Sequence, residues 1–233
     1  VLVHISNFRK VKRVEDVIGI FAIVSKKIKS KLLLIGDGPE RKYMEDLCRT
    51  LHLCDEIRFL GKQEAVEELL AIADLFILPS ENESFGLAAL EAMACEVPII
   101  SSNAGGIPEV NIDGVTGYMC EVGDVEGMAA RSIELLEDEV SLNKFRKNAF
   151  IQAKRFDISE ILPQYEKYYL EIIEKVKGKE GPDYANSLEA LANLYVSAGK
   201  YEKAEQALIE SIAILDEAIA KKNYFYSGNV NML

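Results

Sequence analysis

Two carboxylates, Glu83 and Glu91, bracket the segment Glu83-Ser84-Phe85-Gly86-Leu87-Ala88-Ala89-Leu90-Glu91. An apolar run, Leu75 to Leu78, closed by Pro79-Ser80, leads into it, and a second run, Val97 to Ile100, follows. The pattern predicts a strand, a glycine-containing turn and a helix start stacked around the two acids. A helix start presents unpaired backbone N–H groups and the positive end of the helix dipole, which suits a diphosphate. The carboxylates can then accept hydrogen bonds from sugar or ribose hydroxyls.

The elements that must position this segment are legible as alternating runs. Residues 1–5, 31–35, 56–60, 75–78, 97–101 and 118–120 read as strands. Between them lie apolar stripes at helical spacing: Val14, Val17, Ile18, Phe21 and Val24; Tyr43, Leu47 and Leu51; Val66, Leu69, Leu70 and Ala73. This alternation predicts a Rossmann-like parallel sheet, strand order 3-2-1-4-5-6, covered by helices on both faces. Ligands of such sheets sit outside the carboxyl ends of the strands. The turn Gly36-Asp37-Gly38-Pro39, the segment Glu83 to Gly86, and Gly105-Gly106 all follow strands and should gather on that edge.

Bulk properties exclude several functions. With 233 residues and 49% apolar residues the chain can bury a substantial core. Its net charge of −11 argues against nucleic acid as a partner. Residues 9–31 are nonetheless basic, with Arg9, Lys10, Lys12, Arg13, Lys26, Lys27, Lys29 and Lys31, so an anion site near the start is compatible with the acidic whole. Cys48, Cys54, Cys95 and Cys120 form no C-x-x-C pair, and His4 and His52 are the two histidines; no metal site is expected. Free thiols suit a reducing, cytoplasmic setting, and Cys95 reads as a core residue. No apolar run reaches the ~20 residues that a membrane span needs. The chain opens at Val1 inside an apolar run, which reads as a cut from something longer.

From Asp124 the pattern is helical, with helices expected over 124–137, 140–154 and 158–177. Lys177-Gly178-Lys179-Glu180-Gly181-Pro182 is a polar, Gly/Pro-containing joint, so domains are expected over 1–177 and 178–233. Beyond it, Leu188, Leu191, Ala192, Tyr195, Gly199, Tyr201, Ala204 and Leu208 resemble a tetratricopeptide repeat: a hairpin of two helices turning at Gly199. One repeat cannot bury its apolar face alone. Ile161, Tyr165, Tyr168, Tyr169 and Ile172 of the preceding helix are expected to pack against Leu188, Leu191, Leu208, Ile212 and Leu215, and any stripe left over would favour self-association or a protein partner. The tail Tyr224–Leu233 has no evident partner in the sequence.

Residues 1–175 resemble the donor-binding, C-terminal half of retaining GT-B glycosyltransferases of family 4. The matching motifs are Glu83 with Glu91, Gly36-Asp37-Gly38-Pro39, Glu91-Ala92-Met93-Ala94-Cys95 and Gly105-Gly106-Ile107-Pro108-Glu109. The opening His4-Ile5-Ser6-Asn7-Phe8-Arg9-Lys10-Val11-Lys12-Arg13-Val14, with Leu60-Gly61-Lys62-Gln63, is similar to a narrower subgroup in bacillithiol biosynthesis that joins N-acetylglucosamine to L-malate. The resemblance implies a UDP-sugar substrate, UDP-N-acetylglucosamine by subgroup, and no cofactor. It implies that Lys12, with Arg9, neutralises the diphosphate leaving group, that Glu83 holds the transferred sugar, and that Glu91 binds the ribose. Ser84 and the backbone N–H groups of Phe85, Gly86 and Leu87 would meet phosphate or sugar. Gly36 and Gly38 would either join the donor contacts or serve the turn alone. Retaining transfer in this family needs no protein nucleophile, so leaving-group stabilisation would be the main contribution of the protein. His4, by contrast, reads as a packed histidine rather than a base.

This chain departs from the family pattern twice. Glu96 stands where the family usually has Gly, and the acceptor-binding half that would precede Val1 is not in the sequence. In intact enzymes the helix matching residues 158–177 crosses back onto that half, whereas here it runs into the repeat-like hairpin. Two functions follow: a donor-binding domain that binds UDP-sugar and does not transfer alone, or an interaction scaffold, natural or a chimera by fusion, in which nucleotide binding is vestigial.

Overall fold

The computed structural model describes the backbone of residues 1–177 and 181–230, and the side chains of 1–169, 171 and 181–220. Residues 178–180 of the expected joint, the side chain of Ile172 and the side chains of the tail lie outside the described residues. The chain divides into two compact units, Val1–Lys154 and Arg155–Leu233. The break expected after Lys177 therefore falls inside the second unit, because the helix before it packs with the hairpin after it.

The first unit holds six strands: β1 (Leu2–Ile5), β2 (Leu32–Ile35), β3 (Ile57–Gly61), β4 (Leu75–Leu78), β5 (Ile99–Ser102) and β6 (Gly117–Cys120). They form one sheet in the order β3-β2-β1-β4-β5-β6, every pair parallel. A parallel sheet covered on both faces needs strands apolar on both sides. All four residues of β4 are buried, as are three of four in β2. Seven helices accompany the sheet: α1 (Val14–Val24), α2 (Arg41–Thr50), α3 (Val66–Leu70), α4 (Leu87–Ala94), α5 (Ile107–Val110), α6 (Val125–Glu137) and α7 (Glu139–Lys154). The α1 stripe Val14, Val17, Ile18, Phe21 and Val24 is fully buried, as its spacing predicts. On α2 the buried residues are Met44 and Cys48, while Tyr43 and Leu51 are exposed. Met44 and Cys48 form a parallel stripe one residue over, and that stripe faces the core.

The chain order reverses between β1 and β4, which pair through Leu2↔Leu75 and Val3↔Phe76. The loops leaving these two strands, residues 6–13 and 79–86, are consequently neighbours at the carboxyl edge. This is the switch point at which open α/β sheets leave a crevice.

The second unit comprises α8 (Ile158–Lys177), α9 (Pro182–Ser197) and α10 (Tyr201–Val230). Asp157 opens α8 by accepting from the Ser159 N–H at 2.8 Å, and Pro182 opens α9 at a position where its missing N–H costs nothing. Gly199 ends α9 in the left-handed region at φ +69°. Its N–H bonds the Val196 carbonyl and the Lys200 N–H bonds that of Tyr195, a Schellman closure. As expected, α8 packs against the hairpin, but on a face shifted by one residue. Leu162 is fully buried among Leu191, Ala192, Tyr195, Ala204 and Ala207, whereas Tyr165 and Tyr168 are exposed. Glu166 accepts from the Tyr195 hydroxyl, pairs with Lys203 at 3.1 Å and titrates below its ordinary range for those reasons. Leu188 and Leu191 are buried; Leu208 and Ile212 are exposed.

Candidate functional site

Lys12 and Glu83 meet at the switch point. Lys12 ends a single 3-10 turn, Lys10–Lys12, in the loop after β1; Glu83 lies in the loop after β4. The Lys12 Nζ donates to Glu83 Oε2 at 2.5 Å, and both side chains are less than a fifth exposed. A part-buried pair of this kind forms across a crevice when each charge is costly to leave unpaired. A second link joins the loops: the Glu81 N–H donates to the Val11 carbonyl at 2.8 Å. Arg9 is exposed and caps the same turn, its carbonyl accepting the Lys12 N–H at 2.8 Å. Arg13, next along, is committed to Asp16 at 2.6 Å.

The Glu83 loop is also clamped from behind. The Ser102 hydroxyl donates to the Ser80 carbonyl at 2.5 Å, and the Gly106 N–H to the Glu83 carbonyl at 2.8 Å. A Cβ on Gly105 would stand 2.1 Å from the Glu83 carbonyl oxygen, and one on Gly106 would stand 2.3 Å from that of Ser84. Only glycine lets the two backbones approach so closely. The sequence reading placed Gly105-Gly106 at the correct edge but gave it no role in the site. Its signal was there: paired glycines at a strand end, where a close backbone approach is the usual demand.

Beyond Glu83, Gly86 turns the chain at φ +91° into α4. Gly86, the N-cap residue, has no side chain to cap this helix start, so the N–H groups of the first turn gain no side-chain acceptor from that position. Ser84 and Leu87 are exposed beside it, Phe85 is half-buried, and Glu91 is exposed one turn along. Glu91 joins none of the ion pairs among the described residues, in contrast to Glu83. At the far end α4 closes on a Schellman motif through Glu96, at φ +61°, with the Glu96 N–H on the Met93 carbonyl and the Val97 N–H on that of Ala92. Cys95 at this cap is half-buried rather than core, and its thiol is pushed up by burial, then by Glu67 and Glu91.

Gly36 and Gly38 buttress the Lys12 loop. A Cβ on Gly36 would lie 1.8 Å from the Ser6 carbonyl oxygen and one on Gly38 1.9 Å from that of Asn7. The turn alternative of the sequence reading thus has a direct physical basis. His4 is fully buried, its Nδ1 2.8 Å from the Ile77 carbonyl and its Nε2 2.8 Å from the Ser6 hydroxyl. Burial drives its pKa down to about 4, so the ring is neutral near pH 7.

The family model described as "Glycosyl transferases group 1" matches residues 1–152. The chain belongs to the group 1 glycosyl transferases. A second family model, a tetratricopeptide repeat, matches residues 169–217. The chain is 50% identical over 174 residues to the N-acetyl-alpha-D-glucosaminyl L-malate synthase of Bacillus anthracis, an alignment covering 74% of this chain and 46% of that protein. It is 31% identical over 150 residues to the 2-deoxystreptamine N-acetyl-D-glucosaminyltransferase of Niallia circulans, covering 61% of this chain and 38% of that one. Among solved structures, the Anabaena protein HepE in complex with UDP superposes with a TM-score of 0.67 at 27% identity, over 73% of this chain and 48% of that chain. The pneumococcal O-GlcNAc transferase GtfA, in complex with UDP and GlcNAc, gives 0.68 at 21% identity, over 75% and 36%, and shows the shared fold. The chain spans less than half the length of each of these proteins. Among the described residues, no helix is long and apolar enough to cross a membrane.

Proposed function

We propose that this chain is the donor-binding half of a retaining glycosyltransferase, that its donor is UDP-N-acetylglucosamine, and that it does not transfer sugar by itself. The observation that carries the reading is the Lys12–Glu83 pair at the switch point, set beside the helix start that opens on Gly86. A cation and a carboxylate meet beside a glycine-led helix start, an arrangement that suits a sugar diphosphate. Lys12 and Arg9 neutralise the diphosphate as it leaves, and the α4 N–H groups add the helix dipole, with no metal required. Glu83, released from Lys12, takes the sugar hydroxyls, and Glu91 takes the ribose. The half-identical L-malate synthase of Bacillus anthracis supports N-acetylglucosamine as the sugar. Transfer requires an acceptor aligned against the donor in a closed, water-poor cleft, and one wall does not supply that alignment.

The test pairs two measurements. Calorimetry should detect binding of UDP-N-acetylglucosamine, and purified chain incubated with that donor and L-malate should yield no product. Glycosyl malate formed by the chain, with contaminating full-length enzyme excluded, overturns the inactivity. Absence of any donor binding favours a second reading, an interaction scaffold. The tetratricopeptide-like hairpin supports that second reading, since Leu208, Ile209 and Ile212 on α10 leave apolar surface for a second copy or another protein. Free thiols at all four cysteines fit a cytoplasmic setting.

A further inference from the structure

We infer that His4 and Ser6 are positioning residues for the donor diphosphate, holding the loop of Arg9 and Lys12 by a hydrogen-bond relay from β4. The inference rests on the reading of the crevice as a nucleotide-sugar site.

The relay follows from donor and acceptor chemistry. The Ile77 carbonyl can only accept, so His4 Nδ1 carries the proton of the neutral ring across their 2.8 Å contact. Nε2 is then an acceptor, and the Ser6 hydroxyl donates to it at 2.8 Å. Having given its proton, the Ser6 oxygen accepts the Phe8 N–H at 3.3 Å. Phe8 needs such a hold. It stands at φ +39°, a region that L-residues adopt only when their surroundings fix it. Its side chain is fully buried, and its ring lies stacked 6.5 Å from that of His4. Arg9 follows immediately, and three residues later Lys12 reaches Glu83.

The register explains why a side chain does this work. Ladder pairing of β1 with β4 covers Leu2↔Leu75 and Val3↔Phe76, and His4 is the next residue. Its ring extends the link between the two strands by one position, then hands it to the loop. A hydrophobic residue of the same size would fill the space but give Ser6 no acceptor. The Ser6 hydroxyl would then have no defined direction, and the Phe8 N–H no fixed partner.

Titration of the full chain with UDP and with uridine, by calorimetry and NMR, separates this role from simple packing. Uridine lacks the phosphates that Lys12 and Arg9 would meet. Ser6→Ala should weaken UDP by about tenfold, the effect of roughly one lost hydrogen bond, and leave uridine unchanged. Ser6→Thr, which keeps the hydroxyl, should retain UDP affinity. His4→Asn keeps a donor near Ile77 but not the acceptor for Ser6, so it should match Ser6→Ala, and the double variant should lose no more. His4→Gln, whose amide reaches the Nε2 position, should recover most of the affinity. UDP binding unchanged in both Ser6→Ala and His4→Asn overturns the inference, as does an equal loss for UDP and uridine, or losses that multiply in the double variant. A wild-type chain that binds neither ligand overturns the site reading itself, and the positioning role with it.

Discussion

Glu96 offers a prediction with a magnitude that follows from backbone geometry. It occupies the left-handed position of the Schellman closure of α4, at φ +61°, and both hydrogen bonds of that motif are formed at 3.0 Å. Its side chain is exposed, so little packing is lost by removing it. An L-residue in this conformation costs about 1–2 kcal/mol relative to glycine. Glycine returns part of that gain, about 0.5–1 kcal/mol, through the greater freedom of its unfolded chain. Glu96→Gly should therefore stabilise the first unit by about 1 kcal/mol. For a protein of this size that is a rise of about 2–4 °C in the Tm of its transition. Glu96→Ala is the control: it removes the same charge but keeps the Cβ, and should leave the Tm within about 1 °C. Urea and thermal melts of the three chains decide the matter. Destabilisation by Glu96→Gly, or an equal gain from Glu96→Ala, would refute the backbone argument and point to the carboxylate instead.

Three further outcomes are expected. His4 has a folded pKa near 4, against 6.5 unperturbed, so the unfolded chain binds the proton more tightly. Its contribution is complete above about pH 6.5, declines as pH falls toward 4, and totals about 3 kcal/mol; urea melts against pH should show this slope, and His4→Asn should flatten it. Gly106→Ala should destabilise by roughly 1–3 kcal/mol, because the new Cβ meets the Ser84 backbone rather than a flexible side chain, and UDP affinity should fall with it. Cys54 is exposed, whereas Cys48 is buried and its thiol is pushed up to about 12 by burial and by Cys54; alkylation followed by peptide mass mapping should label Cys54 first, and faster labelling of Cys48 would contradict that assignment.

Much of the fold was readable because parallel strands buried on both faces leave continuous apolar runs. All six strands lie within two residues of their expected bounds, and their order is as expected. Helix faces were read less well. On α2, Tyr43 and Leu51 outweighed Met44 and Cys48 by size, but tyrosine tolerates the surface and methionine fills core gaps. On α8, Leu162 is buried, one position away from the expected Ile161, Tyr165 and Tyr168 stripe. Stripes of period three and four overlap on neighbouring residues, and only the partner element selects between them.

Candidate residues for the site could be named from the sequence one by one; most of what supports them could not. Glu83 and Lys12 stand 71 positions apart, and the switch point joins them. What holds each loop escaped the sequence reading. Gly105 and Gly106 act through backbone approach, which leaves no periodic signature; for Gly36 and Gly38 the turn role was one of two alternatives, and the backbone they approach was not foreseen. The His4–Ser6 link depends on one strand ending beside another, a fact of register rather than composition.

The central claim is that UDP occupies the crevice between the loops after β1 and β4. A UDP titration followed through backbone amide NMR signals tests it most directly. At millimolar ligand the account predicts saturable shifts at Lys12, Glu83 to Leu87 and Glu91. It also predicts binding weakened by roughly 1.5–3 kcal/mol in Glu91→Ala, the loss of a charge-assisted hydrogen bond. Signals at this edge that stay unmoved at millimolar UDP, or shifts confined to the helices after Arg155, would contradict it.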